Sequence, residues 1–167
     1  FENKNLGRNV IVFGNLPYNI STQILASLVL LNKWPPWYDI LILMFQKEVA
    51  DRIIAKVQTK AYGRLSILAN WRLEIKKHFD VSKNCFFPKP KINSTLLSFK
   101  PKKINIYDLK NPKNLEKITR IFFNQRRKMI KNPLKQIFKN PEKIIRDLEL
   151  NTNLRPQNLN PLTYFNI

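Results

Sequence analysis

The six residues Gly14-Asn15-Leu16-Pro17-Tyr18-Asn19 carry groups suited to one chemical task, the presentation of a planar exocyclic amine to an electrophile. Such an amine is a poor nucleophile because its lone pair is delocalised into the ring. Two acceptors near its hydrogens favour a pyramidal nitrogen whose lone pair points outward. The Asn15 side-chain oxygen is one such acceptor, and a main-chain carbonyl beside the proline-stiffened turn is the other. The Tyr18 ring can stack on the base. The same residues also read as an ordinary strand-to-loop turn with a packing Tyr, so alone they leave both readings open.

Two further segments carry chemistry. Cys85-Phe86-Phe87-Pro88-Lys89-Pro90-Lys91-Ile92-Asn93-Ser94 reads as a stiff loop that offers a ring for stacking and cations for phosphates. It reads equally as a hairpin connection with one Phe buried. In Phe122-Phe123-Asn124-Gln125-Arg126-Arg127-Lys128 the helical period puts Ile118, Phe122 and Met129 on one side. Lys117, Arg120, Arg127, Lys128 and Lys131 fall on the other, with no acid among them, which favours phosphate contact over a merely solvated face.

The elements that must position these residues follow from pattern. Val10 to Phe13 reads as a buried strand ending at Gly14, and Asp39 to Phe45 as a second. Between them Ser21 caps a helix running to about Asn32, with Ile24, Leu25, Leu28 and Leu31 on one face. Further helices are expected over 48–57 and 64–73. Strands are expected over 73–79 and 95–100, and their alternating charges and the Pro-rich loop between them suit an antiparallel edge hairpin. The whole is an α/β pattern with parallel strands. It places the Asn15 segment just past the carboxyl end of a strand, where open α/β sheets bind ligands. A Pro/Lys/Asn-rich boundary at 101–112 precedes an all-helical part, with helices expected over 112–132, 134–139, 141–149 and near the carboxyl end.

Bulk composition narrows the function. The chain of 167 residues has 30 Lys+Arg against 11 Asp+Glu, a net charge of +19. Residues 100–146 alone hold 15 basic and 3 acidic residues, net +12. Charge concentrated in this way favours a polyanion partner, nucleic acid first. The three glycines, Gly7, Gly14 and Gly63, write no phosphate-cradling loop. One Cys and one His complete no N/S zinc site, and the single Cys fits a reducing compartment. The longest apolar runs, 28–31 and 40–45, are far short of a membrane span.

Taken together and in order, the segments 14–22, 45–49, 61–66, 86–94 and 123–128 resemble the KsgA family of rRNA adenine dimethyltransferases. The Erm methyltransferases are similar in the first and fourth segments but generally lack the Asn-Gln-Arg-Arg-Lys stretch. The resemblance implies S-adenosyl-L-methionine as methyl donor and two adjacent adenines near the 3′ end of small-subunit rRNA as substrate. Each adenine would receive two methyl groups. It implies that Asn15 and the Leu16 carbonyl, stiffened by Pro17, hold the amine, with Asn15 also beside the donor. Tyr18 would stack on a base that has left its helix, and Phe86 would close the opposite face. Lys89, Lys91, Lys117, Arg120, Arg126, Arg127, Lys128 and Lys131 are the expected rRNA contacts. The expected setting is cytoplasmic and monomeric, on the immature 30S subunit, with no membrane.

The resemblance also exposes a departure. The family opens with a Gly-rich motif after its first strand and an acidic residue for the donor's ribose, and this chain has neither. Phe1 enters the pattern just before the fourth strand, so about three βα units of ~30 residues precede it in the family. The expectation is the C-terminal half of a Rossmann-like methyltransferase sheet (1–103) followed by a small all-α rRNA-binding domain (104–167). Such a part, taken alone, would be inactive. The alternatives are a non-catalytic RNA-binding or ribosome-assembly protein, and an Erm-type large-subunit rRNA methyltransferase.

Overall fold

The run Ile40-Leu41-Ile42-Leu43-Met44-Phe45-Gln46 is apolar on both faces, as an interior strand must be. In the computed structural model, which describes residues 10–103, 109 and 111–167, this run is β2 (Ile40–Gln46). It lies parallel to β1 (Ile11–Asn15). The two remaining strands, β3 (Leu73–Val81) and β4 (Ser94–Pro101), run antiparallel to each other, and β4 also pairs antiparallel with β2. The resulting mixed sheet has the order β1-β2-β4-β3. The α/β pattern and the antiparallel edge pair therefore match the sequence expectation, but β1, expected to be buried, lies at the sheet edge with Ile11 48% and Phe13 73% exposed. Leu41, Leu43 and Phe45 of β2 and Leu97 and Phe99 of β4 fill one face, with Phe45 and Phe99 packed edge-on.

Helix α1 (Ser21–Val29) connects β1 to β2 and buries Ser21, Leu25 and Val29 at a spacing of one turn. It stops short of the expected Asn32 for a physical reason. Arg72, only 1% exposed, donates from Nη1 to the carbonyls of Val29 (3.2 Å) and Leu31 (2.6 Å). Its guanidinium lies over the rings of Trp34 (4.7 Å) and Trp71 (3.9 Å). A helix continued past this point would bond Leu31 O to the N–H of residue 35, which is Pro35 and has none; Arg72 satisfies that carbonyl instead, and its buried charge is offset by polar and π contacts. Tyr38 closes the cluster by donating from its hydroxyl to the Leu28 carbonyl at 3.2 Å, and burial pushes its phenol pKa up.

Helix α2 (Lys47–Ile53) also ends earlier than expected, and the chain turns through Gln58 with a positive φ of 69°. Helix α3 (Arg64–Arg72) starts where the Ser66 hydroxyl both accepts from Gly63 N (3.0 Å) and donates to Gly63 O (2.7 Å). It buries Ser66, Ile67, Leu68, Ala69, Trp71 and Arg72, which occupy more than one face. Helix α3 is therefore sandwiched, with the sheet layer and α1 on one side and the carboxyl-terminal helices on the other.

Those helices are α4 (Pro112–Asn124), α5 (Lys131–Ile137), α6 (Pro141–Asp147) and α7 (Pro161–Asn166). Three of them begin alike. Asn111, Asn140 and Asn160 each accept a main-chain N–H from the first turn, and a proline follows each one. The side chain satisfies an orphan donor and the proline sits where no N–H is needed.

The sequence reading of one helix over 112–132 is corrected. α4 ends at Asn124, and residues 125–128 form a turn in which Lys128 N donates to Gln125 O at 2.8 Å. Two tethers break the helix. Arg126 donates to Lys60 O (2.6 Å) and to Gln157 Oε1 (3.0 Å), and Ile130, fully buried, donates its N–H to Leu154 O (2.8 Å). Met129 is 54% exposed rather than aligned with Ile118 and Phe122. The single cationic face accordingly divides between α4 (Lys117, Arg120), the turn (Arg127, Lys128) and the start of α5 (Lys131).

The expected domain boundary at 103/104 abuts residues outside the described ones, and Phe1 and Gly7 themselves lie outside the described residues. Contacts join the two sides of that boundary. Arg64 and Glu116 pair at 2.6 Å, and the Tyr62 hydroxyl donates to Leu159 O at 3.0 Å. The buried side chains of sheet and helices form one contiguous cluster.

Candidate active site

β1 delivers Asn15 to the carboxyl end of the parallel pair, opposite Met44 of β2. The residue before it has no room for a side chain. A Cβ on Gly14 would lie 2.7 Å from Leu43 Cδ2 and 3.1 Å from Leu16 Cδ2. Glycine is thus what lets the strand pass this close to a buried leucine before the chain leaves the sheet. Pro17 then starts a turn, with Ile20 N donating to Pro17 O (3.1 Å) and the Ser21 hydroxyl to Tyr18 O (3.2 Å). That turn feeds α1.

A cavity of about 330 Å³ opens at this point, lined by Asn15, Leu16, Pro17 and Tyr18 on one side and by Phe86, Phe87, Pro88 and Pro90 on the other. All five residues that the sequence reading grouped as amine-holding or stacking, Asn15, Leu16, Pro17, Tyr18 and Phe86, line it. Two segments some seventy residues apart in sequence thus form one site. The sequence reading did not name Phe87, Pro88 or Pro90 as site residues, although it took the segment's two aromatics and two prolines as making a stiff loop with a ring for stacking. Phe87 is completely exposed.

The second wall hangs from a narrow neck. Lys83 N donates to Asn93 Oδ1 (3.0 Å), and Lys47 N donates to Asn93 O (2.9 Å). The Tyr18 hydroxyl meets Ser94 Oγ at 2.7 Å, directly linking the first wall to β4. Below the neck, Asp80 accepts from Thr95 Oγ1 (2.7 Å) and pairs with Lys77 (2.9 Å) and Lys47 (3.3 Å). The bond from Lys77, then those from Thr95 and Lys47, hold its carboxyl down to about 2. Lys47 is raised in turn by Asp80 and Asp51.

The cations fall elsewhere. Lys89 and Lys91 are exposed on the second wall's loop without lining the cavity. Lys117, Arg120, Arg127, Lys128 and Lys131 are exposed on the helical part, whereas Arg126 is half-buried in the contacts that end α4. Among the described residues no helix is long and apolar enough to cross a membrane.

A side-chain amide and a neighbouring carbonyl at the mouth of a slot with aromatic walls can hold a flat heteroaromatic ring by its amine edge. Comparison with known proteins gives the family. The family model described as ribosomal RNA adenine dimethylase matches residues 2–167. The chain is 56% identical over 156 residues to the ribosomal RNA small subunit methyltransferase A of Pelagibacter ubique (strain HTCC1062), covering 93% of this chain and 59% of that protein. It is 38% identical over 159 residues to the protein of the same name from Bradyrhizobium diazoefficiens, covering 95% and 55%. The chain therefore spans just over half the length of these relatives. Among solved structures, a dimethyladenosine transferase from Plasmodium falciparum superposes with a TM-score of 0.80 at 22% identity, over 96% of this chain and 66% of that one. The 23S rRNA methyltransferase ErmE does so with a TM-score of 0.62 at 16% identity, over 96% and 64%. At these identities the two structures speak to the fold, which is that of the carboxyl-terminal part of a Rossmann-like methyltransferase.

Proposed function

The chain belongs to the ribosomal RNA adenine dimethylase family, and from that premise we propose that the whole protein carrying it dimethylates two adjacent adenines near the 3′ end of small-subunit rRNA. The observation that carries this reading is the shared cavity of about 330 Å³, roomy enough for a base, where Asn15, Leu16, Pro17 and Tyr18 face Phe86. Here Asn15 Oδ1 and the Leu16 carbonyl accept the two hydrogens of the adenine amine and turn its lone pair out of conjugation. Tyr18 and Phe86 pack the two faces of the flipped base, and the loop carrying Phe86 limits access of water. The amine needs no strong base, since the nitrogen loses its proton readily once methylated.

Proteins of this family use S-adenosyl-L-methionine. An exposed primary amide at the end of β1, open to the cavity, fits the reactive end of that donor, and Asn15 is the residue that would hold it. When bound, the donor supplies an electrophilic methyl on a sulfonium. With no glycine-rich loop in the chain, the rest of the donor would be held by parts of the protein outside it.

In the same reading residues 1–103 belong to the catalytic domain and residues 104–167 hold rRNA. The protein works as a cytoplasmic monomer on the immature 30S subunit. The exposed cations Lys89, Lys91, Lys117, Arg120, Arg127, Lys128 and Lys131 supply phosphate contacts, and the net charge of +19 supports that assignment.

The test is methyl transfer to unmodified small subunits by the whole protein and by its Asn15→Ala variant. Losing one preorganised hydrogen-bonding group costs turnover about a hundredfold on the scale of such groups. RNA affinity should stay within a few-fold. No transfer by the unaltered protein, or an Asn15→Ala variant of undiminished turnover, would refute the assignment.

A further inference from the structure

The two walls of the cavity are both tied to one dipeptide, Asn93-Ser94. The side chain of Asn93 accepts from Lys83 N and closes the neck of the loop that carries Phe86. The side chain of Ser94 bonds the hydroxyl of Tyr18 at 2.7 Å across a sequence separation of 76 residues. Ser94 is a rigid place to tie a ring. It is 0% exposed, and its backbone lies in register between Gln46 of β2 and Val81 of β3, so ladders on both sides hold it. Tyr18, by contrast, stands on a turn. Its backbone is fixed by the Ser21 hydroxyl at Tyr18 O, and its ring reaches Ser94 only at the far end.

A ring held at its Cα and at its phenol oxygen has its χ1 and the direction of its long axis set, whereas a ring held only at Cα can swing within its rotamer well. We propose that Ser94 is a positioning residue: through the Tyr18 hydroxyl it sets the direction of that ring and so the gap between Tyr18 and Phe86. The inference rests on the reading of this cavity as the target-base site. Ser94 touches no reacting atom. It acts by keeping one aromatic wall at the separation at which a planar base is gripped on both faces. Small errors of placement at a reacting centre are costly in rate, even when binding survives. The pairing also gives the phenol oxygen of Tyr18 a purpose, since a stacking ring alone would need only a phenyl group.

The experiment compares Ser94→Ala, Tyr18→Phe and the double variant in the whole protein. Unmodified small subunits and S-adenosyl-L-methionine serve as substrates, and kcat, KM for the subunit and Tm are read for each. Each single variant is expected to lower kcat about tenfold, the scale of one hydrogen bond. KM should stay within about twofold. The double variant should be no slower than either single one, because both remove the same bond. Tyr18→Phe deletes an oxygen from a turn residue and leaves the core intact, so it carries the test if Ser94→Ala lowers Tm. Single variants at the unaltered rate overturn the inference, as do multiplying losses in the double variant or a rate loss that merely follows Tm. If the unaltered protein transfers no methyl group, the reading of the cavity itself fails, and that result is distinct from an active protein indifferent to both substitutions.

Discussion

The two walls of the cavity are built by opposite strategies. The Asn15 wall continues directly from a strand, with Gly14 pressed against Leu43 and main-chain bonds from Pro17 and Tyr18 leading into α1. The Phe86 wall is a loop whose hydrogen bonds to the rest of the protein gather at its neck, while Phe87 stands fully in solvent. One wall is set by the packing of the sheet and the other by a single closure. A site that must admit a base turned out of its helix benefits from this asymmetry. Acceptors that define reaction geometry sit on the fixed side, and a ring that need only cover the base sits on the side free to adjust.

Breaking the fixed wall should have the largest effect on stability. Gly14→Ala forces a methyl group into a buried leucine, and overpacking of this kind costs about 1–3 kcal/mol. The denaturation midpoint should fall with the m value unchanged. An unshifted midpoint would mean that Leu43 yields freely and that this wall is no stiffer than the other.

Opening the neck comes next. Asn93→Ala removes the acceptor of Lys83 N, worth about 0.5–1.5 kcal/mol, and the loss should be local. Amides of Phe86 and Phe87 should exchange faster while those of Asn15 and Leu16 do not. Equal acceleration on both walls would erase the contrast drawn above.

The smallest effect is the acid response of the ion cluster under the neck. Asp80 is held down to about 2 by Lys77, Thr95 and Lys47. A carboxylate whose folded value lies below its ordinary 3.8 adds stability above that value and loses it as the pH falls through about 2. Asp80 and the two lysines are reached by solvent, although Thr95 is buried, so screening keeps the gain slight. A carboxyl carbon titration should find the midpoint near 2. A midpoint near 3.8 would remove the cluster from the account of how the loop is held.

What was legible in the sequence was whatever is contiguous. The segments around Asn15 and Phe86 each carry their turn chemistry in a few residues, but each alone also read as an ordinary turn or connection, and only their joint order along the chain singled them out as one site. The strands could be read because β2 is apolar throughout and β3 alternates charge. What escaped depends on distant partners. The helical period runs on past Asn124 in the sequence, and only Lys60, Gln157 and Leu154, brought in by the fold, explain why α4 stops there. For the same reason Arg126, an expected phosphate contact by its neighbours' company, proves to be bonded to the protein. The sequence reading placed a helix over 64–73 and gave Arg72 no role, and the burial of Arg72 beneath α1 has no local signature. The Tyr18–Ser94 bond joins two segments that were each singled out, but the sequence alone could not place them face to face.

The Arg72 cluster has a spectroscopic consequence. All three tryptophans, Trp34, Trp37 and Trp71, gather at the carboxyl end of α1, with two of them against the guanidinium and Trp37 edge-on to Tyr38. Helix α1 spans roughly 13 Å at 1.5 Å per residue, and the cavity lies at its other end. Intrinsic tryptophan emission therefore observes the core clamp and is blind to the base slot except through the helix between them. A change in emission on adding RNA would report a shift of α1 or RNA lying against the exposed Trp37, and an unchanged spectrum would be compatible with a fully occupied site.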